Sequence, residues 1–199
     1  IRLRPRSTPL FSSSSSDVYK RKQMVKQFAD KIYATDEDDC DKYGFDIPKI
    51  TLEPGRALIG RAGVSIYRVG SIKKIPSVRN YISVDGGMGD NIRPALYGSE
   101  YSVFSITKVN QKDNLLKSTV SGKFCESGDI LAKDVMLPNP QINDLLALPA
   151  SGAYNLAMAS NYNRVPKAKV VGVSKTEVFD LVKRQSFEDT VSDLSLIHI

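Results

Sequence analysis

The sequence predicts an α/β part followed by an all-β part, with the boundary near Gly63. Early in the chain, apolar residues recur at helical spacing among lysines and are followed by one short β-branched run. Beyond Gly63, short apolar runs alternate with Gly, Pro, Asn and Asp, a pattern typical of strands and turns. With 199 residues, the chain is long enough to bury a core as one large domain or two small ones.

Charge and composition exclude several classes of protein. Half of the net charge of +6 comes from Arg2, Arg4 and Arg6, and no basic stripe interleaved with aromatic residues follows, so we predict no nucleic-acid partner. No segment approaches the roughly 20 apolar residues of a membrane span, and no secretory signal is expected. Cys40 and Cys125 form neither a disulfide framework nor a metal-binding spacing, which favours the reducing cytoplasm and predicts no metal.

Both ends of the chain differ from the middle. Residues 1–16, with the serine run Ser12–Ser16, are expected to be a disordered or artefactual tail. Residues 194–199 are the translation of CTGTCTCTTATACACATC, the end of a widely used transposase sequencing adapter, so we expect the natural chain to differ beyond Asp193. The only histidine, His198, lies in that segment and is therefore not a catalytic candidate.

The elements follow in order. An amphipathic helix is predicted to about Ala34, then an acidic loop at 35–44 and a strand at 49–52, together the closing piece of an α/β unit. The helical spacing is carried by Met24, Val25, Phe28 and Ile32. Strands are then predicted at 64–69, 80–84, 103–109, 115–120, 145–148 and 168–173, with short helices at 91–97 and 153–160.

Four segments carry residues suited to binding or catalysis. In EPGR (53–56), Pro54 fixes φ, Gly55 lets a ligand approach the backbone, and Arg56 offers a planar fork for phosphate or carboxylate. An ordinary turn with a surface arginine would have the same sequence. In SGAYNLAMASNYN (151–163), Tyr154 follows a glycine at the start of a small-residue helix, which suits either a nearby phosphate or tight packing.

The segment VDGGMGDNIRPALYG (84–98) places a glycine-rich turn before a short helix. Asp90 or Asn91 can cap that helix, and Arg93 and Tyr97 lie four residues apart on one face, an arrangement suited to an anionic group. A glycine-rich hairpin with a solvated arginine is the alternative. The segment contains neither GxGxxG nor a GKS or GKT sequence, so a nucleotide-binding loop is not predicted.

The segment GKFCESGDILAK (122–133) places Cys125 beside Glu126 between two glycines. Neighbours in an extended strand point to opposite faces, so both side chains can meet one ligand only in a loop or bulge. The flanking Gly122 and Gly128 permit such a backbone. A buried cysteine that fills space in the core is the alternative reading.

Taken in order, these four segments resemble the C-terminal half of the diaminopimelate decarboxylase family, from about Asp17 to Val173. The related ornithine decarboxylases typically have aspartate after the reactive cysteine, whereas Glu126-Ser127 follows here. The resemblance implies an alanine-racemase-like (β/α)8 barrel that binds pyridoxal 5'-phosphate, followed by a β-barrel or sandwich domain. Residues 17–63 would be the closing barrel units and 64–193 the β-rich domain, in a cytoplasmic head-to-tail homodimer with active sites at its interface.

The resemblance also implies roles for individual residues. Glu53, Pro54, Gly55 and Arg56 would border the cofactor phosphate, and Tyr154 would contact cofactor and substrate.

For the substrate, meso-diaminopimelate, Arg56 is a further implied contact, while Arg93 and Tyr97 would hold the distal carboxylate and Glu126 the distal ammonium. Cys125 would donate, across the dimer interface, the proton that replaces CO2. A thiol with an ordinary pKa of about 8.5 is mostly protonated at neutral pH and can give up that proton readily.

The family's Schiff-base lysine, its cofactor-stacking histidine and its phosphate loop belong to earlier barrel units, and this sequence has no good substitute for them. We therefore expect the chain to be an inactive fragment of a lyase that makes L-lysine. The alternatives are decarboxylation of ornithine, arginine or carboxynorspermidine, or a catalytically silent homologue that acts as a binding partner.

Overall fold

The computed structural model describes residues 15–108 and 114–195, with side chains from residue 25 onward. The chain divides into two compact units between Glu53 and Pro54, ahead of the change in sequence pattern at Gly63. The predicted tail at 1–16 lies outside the described residues, except for Ser15 and Ser16, which begin the first helix. Residues 196–199 of the predicted adapter lie outside them as well, and the foreign origin of that segment stays a prediction.

The first unit contains one long helix, α1 (Ser15–Tyr43). The acidic loop predicted at 35–44 is wrong, because residues 35–43 are helical and no glycine or proline interrupts them. The helix ends at Gly44, which has φ of +69°, and the Phe45 amide donates to the Cys40 carbonyl at 3.0 Å. This is the glycine-terminated helix end that satisfies the last carbonyl groups.

The strand predicted at 49–52 is also wrong. Residues 45–55 have no regular secondary structure, and the described part of the first unit offers no other strand with which they could pair. The (β/α)8 barrel is accordingly not present in the described residues.

The second unit is built on a six-stranded, nearly closed sheet. Its strands are β1 (Val64–Ile75), β2 (Arg79–Val84), β3 (Phe104–Ser105), β4 (Leu115–Ser121), β5 (Ile130–Pro138) and β6 (Leu145–Pro149), in the order β3-β6-β1-β2-β4-β5. The long β1 pairs with β6 through its first half and with β2 through its second half, with an irregularity between Val69 and Ser71. All pairs are antiparallel except β2 with β4.

The strands enclose a common core, to which β1 and β2 contribute alternate buried residues and β4 and β6 contribute runs of three consecutive ones. Its most deeply buried large members are Val69, Ile82, Val120, Leu131, Leu137, Leu146 and Leu148. Predicted strands are confirmed at β1, β2, β4 and β6. The strand predicted at 103–109 shortens to β3, and β5 was not predicted.

Short helices join these strands or follow them: α2 (Arg56–Ile59), α3 (Arg93–Tyr97), α4 (Asn155–Met158) and α5 (Phe187–Val191), with 3₁₀ turns at Gly60–Ala62 and Tyr162–Arg164. After α4 comes a separate hairpin of β7 (Val170–Val173), which confirms the strand predicted at 168–173, and β8 (Val178–Val182), which was not predicted. The helices predicted at 91–97 and 153–160 are confirmed in shorter form as α3 and α4. Among the described residues, no helix is both long and apolar enough to cross a bilayer, and no cluster of acidic, histidine and cysteine side chains suits a metal ion.

Candidate functional site

Arg56 is the first residue of α2, directly after the turn at Pro54 and Gly55. Its guanidinium carbon lies 5.8 Å from the centre of the Tyr101 ring. Its Nη1 atom is buried and has no hydrogen-bond partner among the residues that the structure describes. Burying a charged donor without a partner is costly, so this geometry favours an anionic group at Arg56.

The chain around α2 is held against the segment that carries Tyr154. The Ser151 amide donates to the Gly63 carbonyl and the Gly152 amide to the Gly60 carbonyl, both at 3.0 Å. The Tyr154 hydroxyl lies against Gly55, where an added Cβ would overlap it. The segments 55–63 and 151–154, which are about 90 residues apart in sequence, therefore form one wall.

Beside this wall lies an open cleft of about 310 Å³, lined by Arg56, Ala57, Gly60, Arg61 and Ala150. Two of its five lining residues are arginines, so its charge suits a negatively charged group. Gly60 is buried, and an added Cβ there would approach the Arg56 side chain to 2.9 Å.

Arg93 lies between two tyrosines. Its guanidinium carbon is 5.2 Å from the centre of the Tyr97 ring, one turn further along α3, and 5.3 Å from the centre of the Tyr154 ring. Its Nε atom is buried without a partner in the described part of the chain. The same-face relationship of Arg93 and Tyr97 is thus present, and Tyr154 adds a second ring that the spacing alone did not indicate.

The cap predicted for α3 is wrong in detail. Ile92 occupies the N-cap position and makes no side-chain cap bond, while the side-chain oxygen Oδ1 of Asn91 accepts from the Arg93 amide at 3.3 Å. The Asp90 carboxylate instead accepts from the Gly87 amide at 3.0 Å. The two side chains accept hydrogen bonds from amide groups of the glycine-rich turn and of the first helical residue, which have no backbone partners there.

Tyr154 precedes α4 in a left-handed conformation, with φ of +71°. This conformation is uncommon for a residue with a side chain and persists only where the surroundings hold it. The next residue, Asn155, is buried and accepts from the Tyr101 hydroxyl at 3.4 Å. Tyr154 itself remains 45% exposed, so its ring is accessible to a ligand.

Cys125 and Glu126 lie in the loop between β4 and β5, as the sequence required if both were to meet one ligand. Both are exposed, so the alternative of a buried, space-filling cysteine is wrong. The Glu126 carboxylate accepts a hydrogen bond from the Tyr162 hydroxyl, a partner that sequence reasoning missed.

Asp129 is the second residue that sequence reasoning missed. Its buried carboxylate accepts from the Met88 amide at 2.6 Å and the Phe124 amide at 2.8 Å, and so ties the glycine-rich turn to the Cys-Glu loop. Burial raises the pKa of the Asp129 carboxyl above its ordinary value, against the opposing effect of these two hydrogen bonds. The only sequence signal was an acid directly before an apolar strand.

The predicted site residues therefore form two groups. The first group is Arg56, Arg93, Tyr97 and Tyr154, and its two guanidinium groups each have one buried nitrogen without a partner among the described residues. Cys125 and Glu126 are exposed on a loop whose Gly128 lies next to Ala95 of α3, and within the described ranges no hydrogen bond or ion pair joins them to the first group. Glu53 and Pro54 are exposed, and the boundary between the two units lies between them.

Residues 16–152 match the family model described as pyridoxal-dependent decarboxylase, C-terminal sheet domain. The chain is 46% identical over 165 residues to a diaminopimelate decarboxylase of Bacillus subtilis, which covers 83% of this chain and 37% of that protein. The chain therefore spans little more than a third of the length of this relative.

Solved structures give the same likeness. A diaminopimelate decarboxylase from M. jannaschii matches with a TM-score of 0.74 and 32% identity, over 85% of this chain and 38% of that one. The Helicobacter pylori diaminopimelate decarboxylase complexed with L-lysine matches with a TM-score of 0.64 and 32% identity, over 70% of this chain and 34% of that one.

Proposed function

Because the chain belongs to the pyridoxal-dependent decarboxylase family, as its C-terminal sheet domain, we propose that the full-length protein decarboxylates meso-diaminopimelate to L-lysine and CO2. The relatives named diaminopimelate decarboxylase support this choice of substrate. The observation that carries the proposal is a pair of buried guanidinium nitrogens, Arg56 Nη1 and Arg93 Nε, that have no hydrogen-bond partner among the residues the structure describes. Arg93 also lies over the Tyr154 ring.

The described residues fit an anionic cofactor such as pyridoxal 5'-phosphate. Gly55 has no side chain, so the Tyr154 hydroxyl can lie directly against its backbone. The adjacent Arg56 has a buried guanidinium nitrogen that can donate to an anion. Glu53 to Arg56 would border the phosphate, and Tyr154 would contact the ring or the substrate. When bound, the cofactor supplies an electron sink for the bond that breaks.

The same residues explain how the substrate would be recognised. Meso-diaminopimelate has an amino-acid head at each end, so its distal end presents one carboxylate and one ammonium. Arg93 and Tyr97 would hold the carboxylate, with Arg56 as a further contact, and Glu126 would face the ammonium. A site built from such charged partners rejects substrates that lack either group, because one of its own charged side chains would then be left without a partner.

Cys125 would donate the proton that replaces CO2. Cys125 and Glu126 are exposed and are not joined to the Arg93 group by any contact described within this chain. We propose that they complete the site of a second copy in a homodimer, where the interface would cover them.

The test of activity is an assay of the full-length protein with meso-diaminopimelate, ornithine and arginine, measuring released CO2 and the amine or amino-acid product. Turnover of diaminopimelate to L-lysine with little turnover of the other two is expected. Faster turnover of ornithine, or no turnover of any substrate, overturns the proposal.

The shared site has its own test. Mixing the impaired Arg93→Ala protein with the impaired Cys125→Ala protein should raise activity well above that of either alone, since a mixed dimer holds one site with both residues intact. Two copies of the same variant give no such site. No recovery after subunit exchange contradicts the dimeric arrangement while leaving the substrate assignment standing.

A further inference from the structure

Glu126 is an exposed acid whose carboxylate has one side-chain partner, the Tyr162 hydroxyl. Within the described ranges, no lysine or arginine lies within ion-pair distance of that carboxylate. An exposed glutamate that nothing holds samples several rotamers, and fixing it on binding costs entropy. The hydroxyl of Tyr162 restricts that freedom in advance.

The ring of Tyr162 is held in place by packing against another aromatic ring. Its ring packs against Phe124 with centroids 5.7 Å apart and planes tilted by 56°. Phe124 is buried, and its amide donates to the Asp129 carboxylate at 2.8 Å. Phe124 lies two residues before Glu126 in the same short loop. The Tyr162 ring therefore packs against the loop that carries the Glu126 carboxylate to which it donates.

The backbone of Tyr162 is held by the C-terminal segment. The following residues, Asn163 and Arg164, have φ of +54° and +55°, a conformation that needs support from its surroundings. Arg164 Nη1 supplies it by donating to the Thr190 carbonyl at 2.8 Å and to the Asp193 carboxylate at 2.9 Å.

A neutral donor is well suited to orienting an acid. The hydrogen bond to Glu126 raises the pKa of the Tyr162 hydroxyl above its ordinary value of 10.0, with partial desolvation and the neighbouring charges acting in the same direction. The hydroxyl therefore stays protonated and donating at neutral pH. A lysine or arginine in its place would neutralise Glu126, whereas tyrosine leaves the negative charge available to an ammonium.

We propose that Tyr162 is a positioning residue that holds the Glu126 carboxylate ready for the ammonium group at the distal end of the substrate. The inference deepens the function proposed above and rests on it. Tyr162 sets the affinity for the amino-acid head that remains after CO2 has left, and it takes no part in proton transfer.

The first test is Tyr162→Phe in the full-length protein, which keeps the ring on Phe124 and removes the hydroxyl. The KM for meso-diaminopimelate should rise roughly tenfold, the scale of one hydrogen bond to a charged group, with kcat changed by less than about twofold. L-Lysine keeps the distal head, so its calorimetric dissociation constant should rise by a similar factor, a readout that needs no turnover.

A double-mutant cycle separates positioning from a structural role. In a Glu126→Gln background, Tyr162→Phe should change KM and lysine affinity by less than about twofold, because the charge it positions is gone. Tyr81→Phe is the matched control: Tyr81 lies on β2 and alternates with Ile82, so it points away from the core. It should leave both values unchanged.

Unchanged KM and lysine affinity in Tyr162→Phe overturn the inference, and so does an equal loss with and without the Glu126 carboxylate. If Tyr162→Phe does not accumulate as folded protein, Arg164→Ala tests the same support, and a normal lysine affinity in that variant also overturns it. Failure of the unaltered protein to decarboxylate diaminopimelate is a different result, since it refutes the proposed function.

Discussion

The Tyr154 hydroxyl lies so close to Gly55 that a Cβ on that glycine would overlap it, and the ring carbon bearing the hydroxyl would be 3.3 Å from the added atom. This contact joins the residue before α2 to the segment 151–154. Glycine is required there by the close approach of a side chain, since Gly55 has an ordinary negative φ of −70°.

Gly55→Ala should therefore displace Tyr154 from its place beside Arg93. We expect cofactor affinity and kcat/KM of the full-length protein to fall roughly tenfold or more, because overpacking of a tight contact costs about 1–3 kcal/mol. Cofactor absorbance during titration and steady-state kinetics measure the two effects.

A second substitution makes this prediction specific. Tyr154→Phe removes the overlapping atom, so Gly55→Ala should cost much less in that background than in the natural one. Gly70→Ala is the control, since the nearest atom to its added Cβ is 3.7 Å away. Equal losses in both backgrounds would mean that the glycine serves some other purpose.

Asp129 offers a stability prediction. Asp129→Asn puts an NH2 group in place of one carboxylate oxygen, so only one of the Met88 and Phe124 amides keeps its acceptor. The free energy of unfolding should fall by about 1–3 kcal/mol, measured by urea denaturation.

Asp134→Asn controls for the loss of a carboxylate at an exposed position. Asp134 has φ of +55°, a conformation that asparagine adopts readily, so stability should change little. Equal destabilisation by the two variants would contradict the role assigned to Asp129.

The raised pKa of Asp129 gives a pH dependence with a definite sign. The folded state binds the proton more tightly than the unfolded state, whose carboxyl titrates near 3.8. The contribution of this group is therefore fully present below that value and is lost as the pH rises through the folded-state pKa. The difference in stability between the natural protein and Asp129→Asn should widen as the pH is lowered toward 3.8 and stay constant at neutral pH.

Sequence patterns identified those parts of the fold where alternation and turn residues agree. The strands β1, β2, β4 and β6 contain apolar and β-branched runs bounded by turn residues and lie where we predicted them. β5 was not predicted because Lys133 and Asp134 interrupt its pattern and Asp134 bulges the strand with φ of +55°. The end of α1 was predicted too early, at about Ala34, because the acidic residues that follow suggested a loop. The helix ends only at Gly44.

The site divides in the same way. Residues that follow one another at fixed spacing, such as Arg93 and Tyr97, could be placed on one face from the sequence. Contacts between distant segments could not: Tyr154 reaches Arg93 and Gly55, and Tyr162 reaches Glu126, only because the closed sheet brings their loops together. The residues that neighbour such a tyrosine or glutamate in the sequence do not indicate which distant side chain it will contact.

Arg93 gives a prediction about substrate recognition. Arg93→Gln removes the guanidinium that lies between Tyr97 and Tyr154, so the KM for meso-diaminopimelate should rise by about 30-fold or more, the scale expected when one partner of a desolvated charge pair is lost. Cofactor absorbance should be unchanged. Arg79→Gln, on β2, is the control and should behave as the natural protein. A normal KM in Arg93→Gln would show that the distal carboxylate binds elsewhere.

Cys125 gives the prediction about chemistry. Cys125→Ala keeps the loop backbone and removes only an exposed thiol, so the fold and cofactor absorbance of the full-length protein should not change. If the thiol donates the proton that replaces CO2, kcat should fall on the order of 100-fold, the usual effect of losing a general acid. In deuterated water, the label should then enter from both faces instead of one.

Cys40→Ala tests whether any lost thiol would have this effect, since Cys40 lies in α1 and outside the proposed site. It should match the natural protein in rate and in stereochemistry. A Cys125→Ala protein with normal kcat and label on a single face would remove the thiol from the reaction. The proton would then have to come from another group, and Glu126, the neighbouring residue in the same loop, would be the next to substitute.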